Sequence, residues 1–204
     1  LPITQALELI DVKGNYLYGG GNINFTQSGQ THKGMARYNK STGALDNAWA
    51  PDFDVTHPYS MLAHDNFASV TDGGNYTLNT YNFAASQEGK GSSNWYGFSQ
   101  AIRGKKIFVG GNMPDGALAF DTTVTYTWPY YHTQFTTWNP KIGFYKTSGF
   151  QPNEAKGVFA IETAKSRVYM GGGFDTVNNQ LRGSFVVVDT ATGAAYPWKT
   201  FLGY

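Results

Sequence analysis

One short pattern recurs four times along this chain, and it constrains the fold more than any other feature. An apolar residue and two variable residues lead into Gly-Gly, then a small residue and an apolar one. The copies read Leu17-Tyr18-Gly19-Gly20-Gly21-Asn22-Ile23, Val70-Thr71-Asp72-Gly73-Gly74-Asn75-Tyr76, Ile107-Phe108-Val109-Gly110-Gly111-Asn112-Met113 and Val168-Tyr169-Met170-Gly171-Gly172-Gly173-Phe174. Their first aligned glycines fall at 20, 73, 110 and 171. Self-similarity at about 50 residues is a signature of repeat architectures such as propellers. Upstream of the glycines lie strand-like runs, Ala6 to Ile10, Ser60 to Ala63, Phe98 to Ile102 and Val158 to Ile161. Polar turns such as Lys13-Gly14-Asn15 and Arg103-Gly104-Lys105 follow, so each copy reads as a β-hairpin. Glycine inside a strand marks a bulge or the close approach of another backbone.

A second pattern extends the first. Gly34 to Ala44 leads to Trp49, and Gly183 to Ala194 leads to Trp198. Each is a strand followed by an Asx-headed turn. Asn39 or Asp189 can accept backbone bonds within the turn, and Gly43 or Gly193 can supply its positive φ. A modified copy opens at Ala117-Leu118-Ala119-Phe120-Asp121 and closes at Trp138-Asn139-Pro140, while the most degenerate copy keeps only Trp95. The expected fold is therefore all-β: a β-propeller of about four four-stranded antiparallel blades, either closed by this chain or part of a larger one. The approximate blades are 5–53, 54–96, 97–145 and 155–200 within a single domain, 1–204. No blade can bury both faces alone, so neighbours must stack, with tryptophans packed between them.

These residues resemble the delta-sixty type of β-propeller repeat, in which a doubled glycine precedes a Gly, an Arg and an Ala-Arg pair, then an Asn/Asp turn and a Leu-Asp…Phe/Trp-x-Pro end. The fit is close over Gly20 to Pro51, including Ala36, Arg37, Leu45, Asp46, Trp49 and Pro51, and clear over Gly171 to Trp198. The turn Asp189-Thr190-Ala191-Thr192-Gly193 is also similar to quinoprotein-like and kelch-like blades. The resemblance covers about half the chain. It implies a propeller of the kind found in secreted or cell-surface proteins, and it brings no catalytic residues.

Composition narrows the function classes. Charged residues make up 14%, the net charge is +1, and no basic stripe is present, which argues against nucleic acid as a partner. No apolar run has the length of a membrane span. The absence of Cys excludes disulfides, thiolate metal sites, a Cys nucleophile and a Cys-Tyr radical centre. The chain starts at Leu1 rather than Met, which suits a mature form without its signal peptide or a fragment of a longer protein.

The search for chemistry finds little. His57, His64 and Asp65 could together face a metal, but loop and strand-end roles explain them better, and neither metal nor cofactor is expected. Asp52, Asp54, Asp65 and Asp115 are among the candidates for the carboxylate pair of a glycosidase, and the sequence places no two of them at the required separation. The most distinctive segment runs from Val124 to Trp138. There Tyr126, Trp128 and Tyr130 alternate onto one face, and with Tyr131, His132 and Trp138 they form a candidate aromatic platform for a sugar ring or a protein. Packing against a neighbouring blade is the competing explanation. Asn24, Asn39 and Asn75 head Asn-x-Ser/Thr sequons, Asn39 being also claimed by its turn. Gln87 to Asn94 reads as a polar surface loop.

The expectation is thus a non-catalytic module, extracellular or on a cell or virion surface. It would bind a protein or glycan ligand or assemble with other copies or chains. The alternative is a carbohydrate-active enzyme with its site at the propeller mouth.

Overall fold

The computed structural model describes residues 7–51, 58–64, 67–72, 77–82, 87–92, 96–113, 115–122, 136–143 and 157–197. All regular structure among them is β, in small antiparallel sheets. The chain divides into two compact units, one carrying the sheets within Leu1–Asn94 and the other those from Trp95 onward.

In the first unit, β1 (Leu7–Lys13), β2 (Tyr16–Gln27) and β3 (Gln30–Asn39) form one sheet. A bridge from Tyr38 to Leu45 begins a further rung beside β3. A second sheet runs in chain order through β4 (Pro58–Ala63), β5 (Phe67–Asp72), β6 (Thr77–Asn82) and β7 (Gln87–Ser92). In the other unit, β8 (Tyr96–Arg103), β9 (Lys106–Asn112) and β10 (Ala117–Asp121) form a sheet with β9 at its centre. Then follow β11 (Ile142–Gly143), β12 (Gly157–Ala164), β13 (Arg167–Gly173), β14 (Thr176–Val177), β15 (Gln180–Leu181) and β16 (Phe185–Asp189). Of these, β12, β13 and β16 make a sheet that repeats the β1–β2–β3 design, including the bridge from Val188 to Ala195. The short hairpin β14–β15 pairs with β11 instead.

The four leading hairpins share one irregularity. Glu8, Tyr59, Phe98 and Phe159 are each skipped in the pairing of the first strand with the second, a one-residue bulge at the same rung. Opposite the bulge lie Gly20-Gly21 in β2, Gly110-Gly111 in β9 and Gly171-Gly172 in β13. The need for glycine is steric: a Cβ on Gly111 would collide with Tyr96 O, and one on Gly172 with Gly157 O. In β5 the same rung holds Thr71 and Asp72. The doubled glycine expected to mark it, Gly73-Gly74, lies two residues later and outside the described residues.

One expectation is corrected. Gln87–Ser92, read as a polar loop, is strand β7, paired with β6 at the edge of its sheet. Backbone pairing on an existing ladder does not require an apolar alternation in the added strand, so composition misleads there.

The two Asx turns take the expected form. Asn39 Oδ1 accepts from the N–H of Ser41 (2.9 Å) and Thr42 (3.1 Å), and Gly43 has φ +70°. Asp189 Oδ1 accepts from Ala191 and Thr192 N–H, both at 2.9 Å, and Gly193 has φ +74°.

Each unit has its own core. In the first, Tyr18, Met35 and Trp49 meet Ala63, Ala68 and Val70 from the following sheet. In the other, Phe108, Ala117, Ala119 and Trp138 meet Val158, Ile161, Val168 and Met170. Both cores rest on an aromatic pair at equivalent strand positions. Trp49 stands edge-on to Tyr18 (5.4 Å, 88°), and Trp138 edge-on to Phe108 (4.9 Å, 75°). Such pairs add about 1 kcal/mol beyond the area they bury.

Candidate functional site

The register aligns the first and last of these sheets residue by residue, and the comparison isolates one open face. Strand alternation puts Arg167, Tyr169 and Gly171 of β13 on a single face, with Val187 of β16 directly opposite Tyr169. Arg167, Tyr169, Val187, Tyr196 and Pro197 line a groove of about 530 Å3. Tyr196 comes from the segment after the Asx turn, where the Val188–Ala195 bridge fixes its approach.

Several contacts order the groove. The Arg167 guanidinium lies 5.1 Å from the centre of the Tyr196 ring. Hydrogen bonding to Tyr169 first, and to Tyr196 as well, raises the guanidinium pKa above its ordinary value. The Tyr196 hydroxyl donates to Asp189 Oδ2 at 3.4 Å. Asp189 is held below the ordinary carboxylate range, chiefly by the Thr192 backbone N–H, with Ala191 N–H and the Thr192 hydroxyl adding to the effect. This carboxylate is engaged by its own turn. The remaining face is a guanidinium and two phenols over an apolar floor, a set suited to stacking and hydrogen bonding.

At the matching positions of the first sheet described side chains fill the corresponding space. Tyr16, Tyr18, Arg37 and Asp46 stand there instead. Arg37 donates to Asp46 Oδ2 from Nε (3.0 Å) and Nη2 (2.6 Å), and its side chain is only 7% exposed. Its guanidinium lies 4.1 Å from the Tyr16 ring centre and 5.2 Å from that of Trp49. The buried cation is thus paired with Asp46 and lies over the Tyr16 and Trp49 rings, an arrangement that fills the face.

Of the expected aromatic platform, Tyr126, Trp128, Tyr130, Tyr131 and His132 lie outside the described residues. Trp138 does not belong to a surface: it is 2% exposed, and its Nε1–H donates to Asp189 O at 2.8 Å. Its place is the packing role that competed with the platform. Among the sequon residues, Asn24 is exposed on β2, Asn39 is committed to its turn through Oδ1, and Asn75 lies outside the described residues. His57 and Asp65 are also outside them, while His64 follows β4. Asp115 serves the fold, accepting from Asn139 Nδ2 at 2.8 Å. Asp52 and Asp54 are not described. The groove residues Arg167, Tyr169 and Tyr196 were not singled out from the sequence. Aligning the two Asx-turn copies position by position is the signal that finds them, because it shows the Arg37–Asp46 pair replaced by Val187 and Tyr196.

No family model matches the chain, and no curated protein matches it. Among solved structures it is similar to the computationally designed Ika4 protein, with a TM-score of 0.59 at 13% identity, covering 91% of this chain and 92% of that one. It is also similar to the computationally designed Ika8 protein, with a TM-score of 0.50 at 14% identity, covering 93% of this chain and 60% of that one. At these identities the likeness concerns the fold alone.

Proposed function

We propose that the chain is a propeller-type module of about four blades that acts by recognition and assembly rather than catalysis, outside the cell or on a cell or virion surface. The observation that carries this reading is the bulge repeated at one rung of four hairpins. It makes each sheet a copy of one unit, and such units work by stacking faces. Within each unit the face of one sheet is already covered by the next. The Arg167–Tyr169–Tyr196 groove has the same position without a described cover, and it offers aromatic and guanidinium groups of the kind that dominate protein interfaces. A protein partner fits it better than a free glycan, because the equivalent faces of this chain are covered by protein.

The test pairs association with turnover. The intact chain and its Arg167→Glu variant are compared by sedimentation over a wide concentration range, and both are incubated with a panel of polysaccharides. Concentration-dependent association that weakens in the variant supports recognition. New reducing ends formed in proportion to the chain, and lost when one carboxylate is neutralised, would overturn it in favour of a carbohydrate-active enzyme.

A further inference from the structure

One buried position is filled differently in the first and the last sheet, and the difference concerns a proton. Met35 pairs with Gly20 and Phe185 with Gly171, so β3 and β16 align at the glycine rung. Three residues before Met35 stands His32, and three before Phe185 stands Arg182. Both are buried, at 0% and 6% exposure. An arginine is charged at every pH a protein meets and is a donor only. Arg182 spends its donors locally: Nη2 donates to Gln180 Oε1 at 2.7 Å and Nη1 to Leu181 O at 2.9 Å.

His32 has acceptors of the same kind around it and is bonded to none of them. It lies directly opposite Phe25 in the β2–β3 ladder, so Gln27, two residues beyond Phe25, shares its face. Asn47, after the first Asx turn, also acts on the ring and favours its charged form. Gln27 Oε1, Asn47 Oδ1 and both ring nitrogens are buried, and none has a hydrogen-bond partner among the described residues. Sealed from solvent, these atoms cannot be satisfied by bulk water or by a further chain laid on the surface. What the two amide oxygens lack is a donor. A neutral imidazole has one N–H and a protonated one has two. Among the described residues the charged group that acts on His32 is Asp46, which also favours the cation and whose carboxylate is shared with Arg37 of β3. Lys33, next along β3, falls on the opposite face of the strand. The sheet packed on this one contributes Ala63, Ala68 and Val70, which carry no charge.

We infer that His32 is an acid-responsive element of the first sheet: on taking a proton from solvent, its ring donates through both nitrogens to Gln27 Oε1 and Asn47 Oδ1 within the folded chain. The proton gives His32 the donor set that Arg182 has permanently. Neither acceptor is bonded to the ring as it stands, so the ring or the amides must turn. The stack of the ring on Phe25, at 5.0 Å and 16°, is the contact that responds. The change belongs to the tip of the β2–β3 hairpin beyond Asn24, and the last sheet, with Arg182 in the same place, has no counterpart. Burial opposes the charged ring more strongly than Asn47 and Asp46 favour it, so the change falls on the acid side of 6.5. It goes beyond the recognition reading and does not depend on what the module binds.

A pH titration of the intact chain, followed by nuclear magnetic resonance, tests this. Between about pH 7.5 and 5 the His32 ring protons are expected to titrate while the chain stays folded. The Gln27 and Asn47 side-chain amide signals are expected to shift with the same midpoint, and those of Arg182, β13 and β16 to stay in place. Asn47→Leu and Gln27→Leu each remove an acceptor from the charged ring, so each is expected to lower the His32 midpoint by at least about half a pH unit. A ring that takes up its proton only as the whole chain unfolds would overturn the inference. So would a ring that titrates in the folded chain while both amide signals stay still, or a midpoint that neither variant moves. None of these readings involves association or polysaccharide turnover, so the inference and the recognition reading can fail separately.

Discussion

Arg37 and His32 show two ways in which a polar group is accommodated inside an otherwise apolar sheet. The Arg37 guanidinium is accommodated because Asp46 accepts from two of its nitrogens and the Tyr16 and Trp49 rings lie against it. Asp46→Ala removes the partner and leaves the cation buried, so it is expected to destabilise the first unit by about 3 kcal/mol, read from denaturant midpoints. His32, fully buried and stacked on Phe25 at 5.0 Å, is accommodated as the neutral imidazole. Burial lowers its pKa from 6.5, against weaker opposing effects of Asn47 and Asp46. The unfolded chain therefore binds a proton that the folded one refuses. Stability is full above about pH 6.5 and falls as the pH drops below it, through the folded pKa. A His32→Phe variant is expected to flatten this fall, measured as the thermal midpoint between pH 7.5 and 5. Asn39→Ala, which removes two turn hydrogen bonds, is expected to cost about 1 kcal/mol. The Asx turns were legible in the sequence because their chemistry is local. The buried His32 was not, since a lone histidine carries no pattern that tells a packed ring from a surface one.

Each hairpin joins two things that sequence reveals unequally: a glycine pair and the bulge it faces. The pairs announce close backbone approach, and in three hairpins they lie where the bulge is. In β5 the rung carries Thr71 and Asp72, so the glycine signal points two residues too far along. Within the pairs, glycine is demanded most firmly where a Cβ would strike a backbone carbonyl, and that test separates the neighbouring positions 171 and 172. Gly172→Ala is expected to cost about 3 kcal/mol, because Gly157 O already occupies the added methyl's place, whereas Gly171→Ala should change stability by less than about 0.5 kcal/mol. Thermal melts of the two variants side by side check the contrast. Strand β7 was illegible for a different reason: a strand is recognised in sequence by its side-chain alternation, and a Gly/Ser-rich stretch looks the same in a loop as at a sheet edge. Asn24 stands exposed mid-strand on β2. Expression through a eukaryotic secretory pathway is expected to place a glycan there rather than on turn-bound Asn39, and glycopeptide mass spectrometry would read the site.

Across the whole chain, the repetition was the most readable property and the completed architecture the least. The sequence patterns locate the leading hairpins and the two Asx turns, since those depend on neighbours a few residues away. They leave open which sheet covers which, because that is decided by shape at faces built from distant segments. The groove beside Tyr196 is such a case: one copy puts arginine and aspartate at these positions, the other valine and tyrosine, and only the paired strands show that the exchange opens a cavity. The skipped residue in each hairpin has one more consequence. It works as an alignment notch carried within the unit itself, so a duplicated stretch spliced into the chain would arrive already in step with its new surroundings. Removing the notch residue, Phe98 or Phe159, would shorten no loop. It would turn the start of that strand over, exchanging inward and outward side chains, and misfolding would begin at that rung.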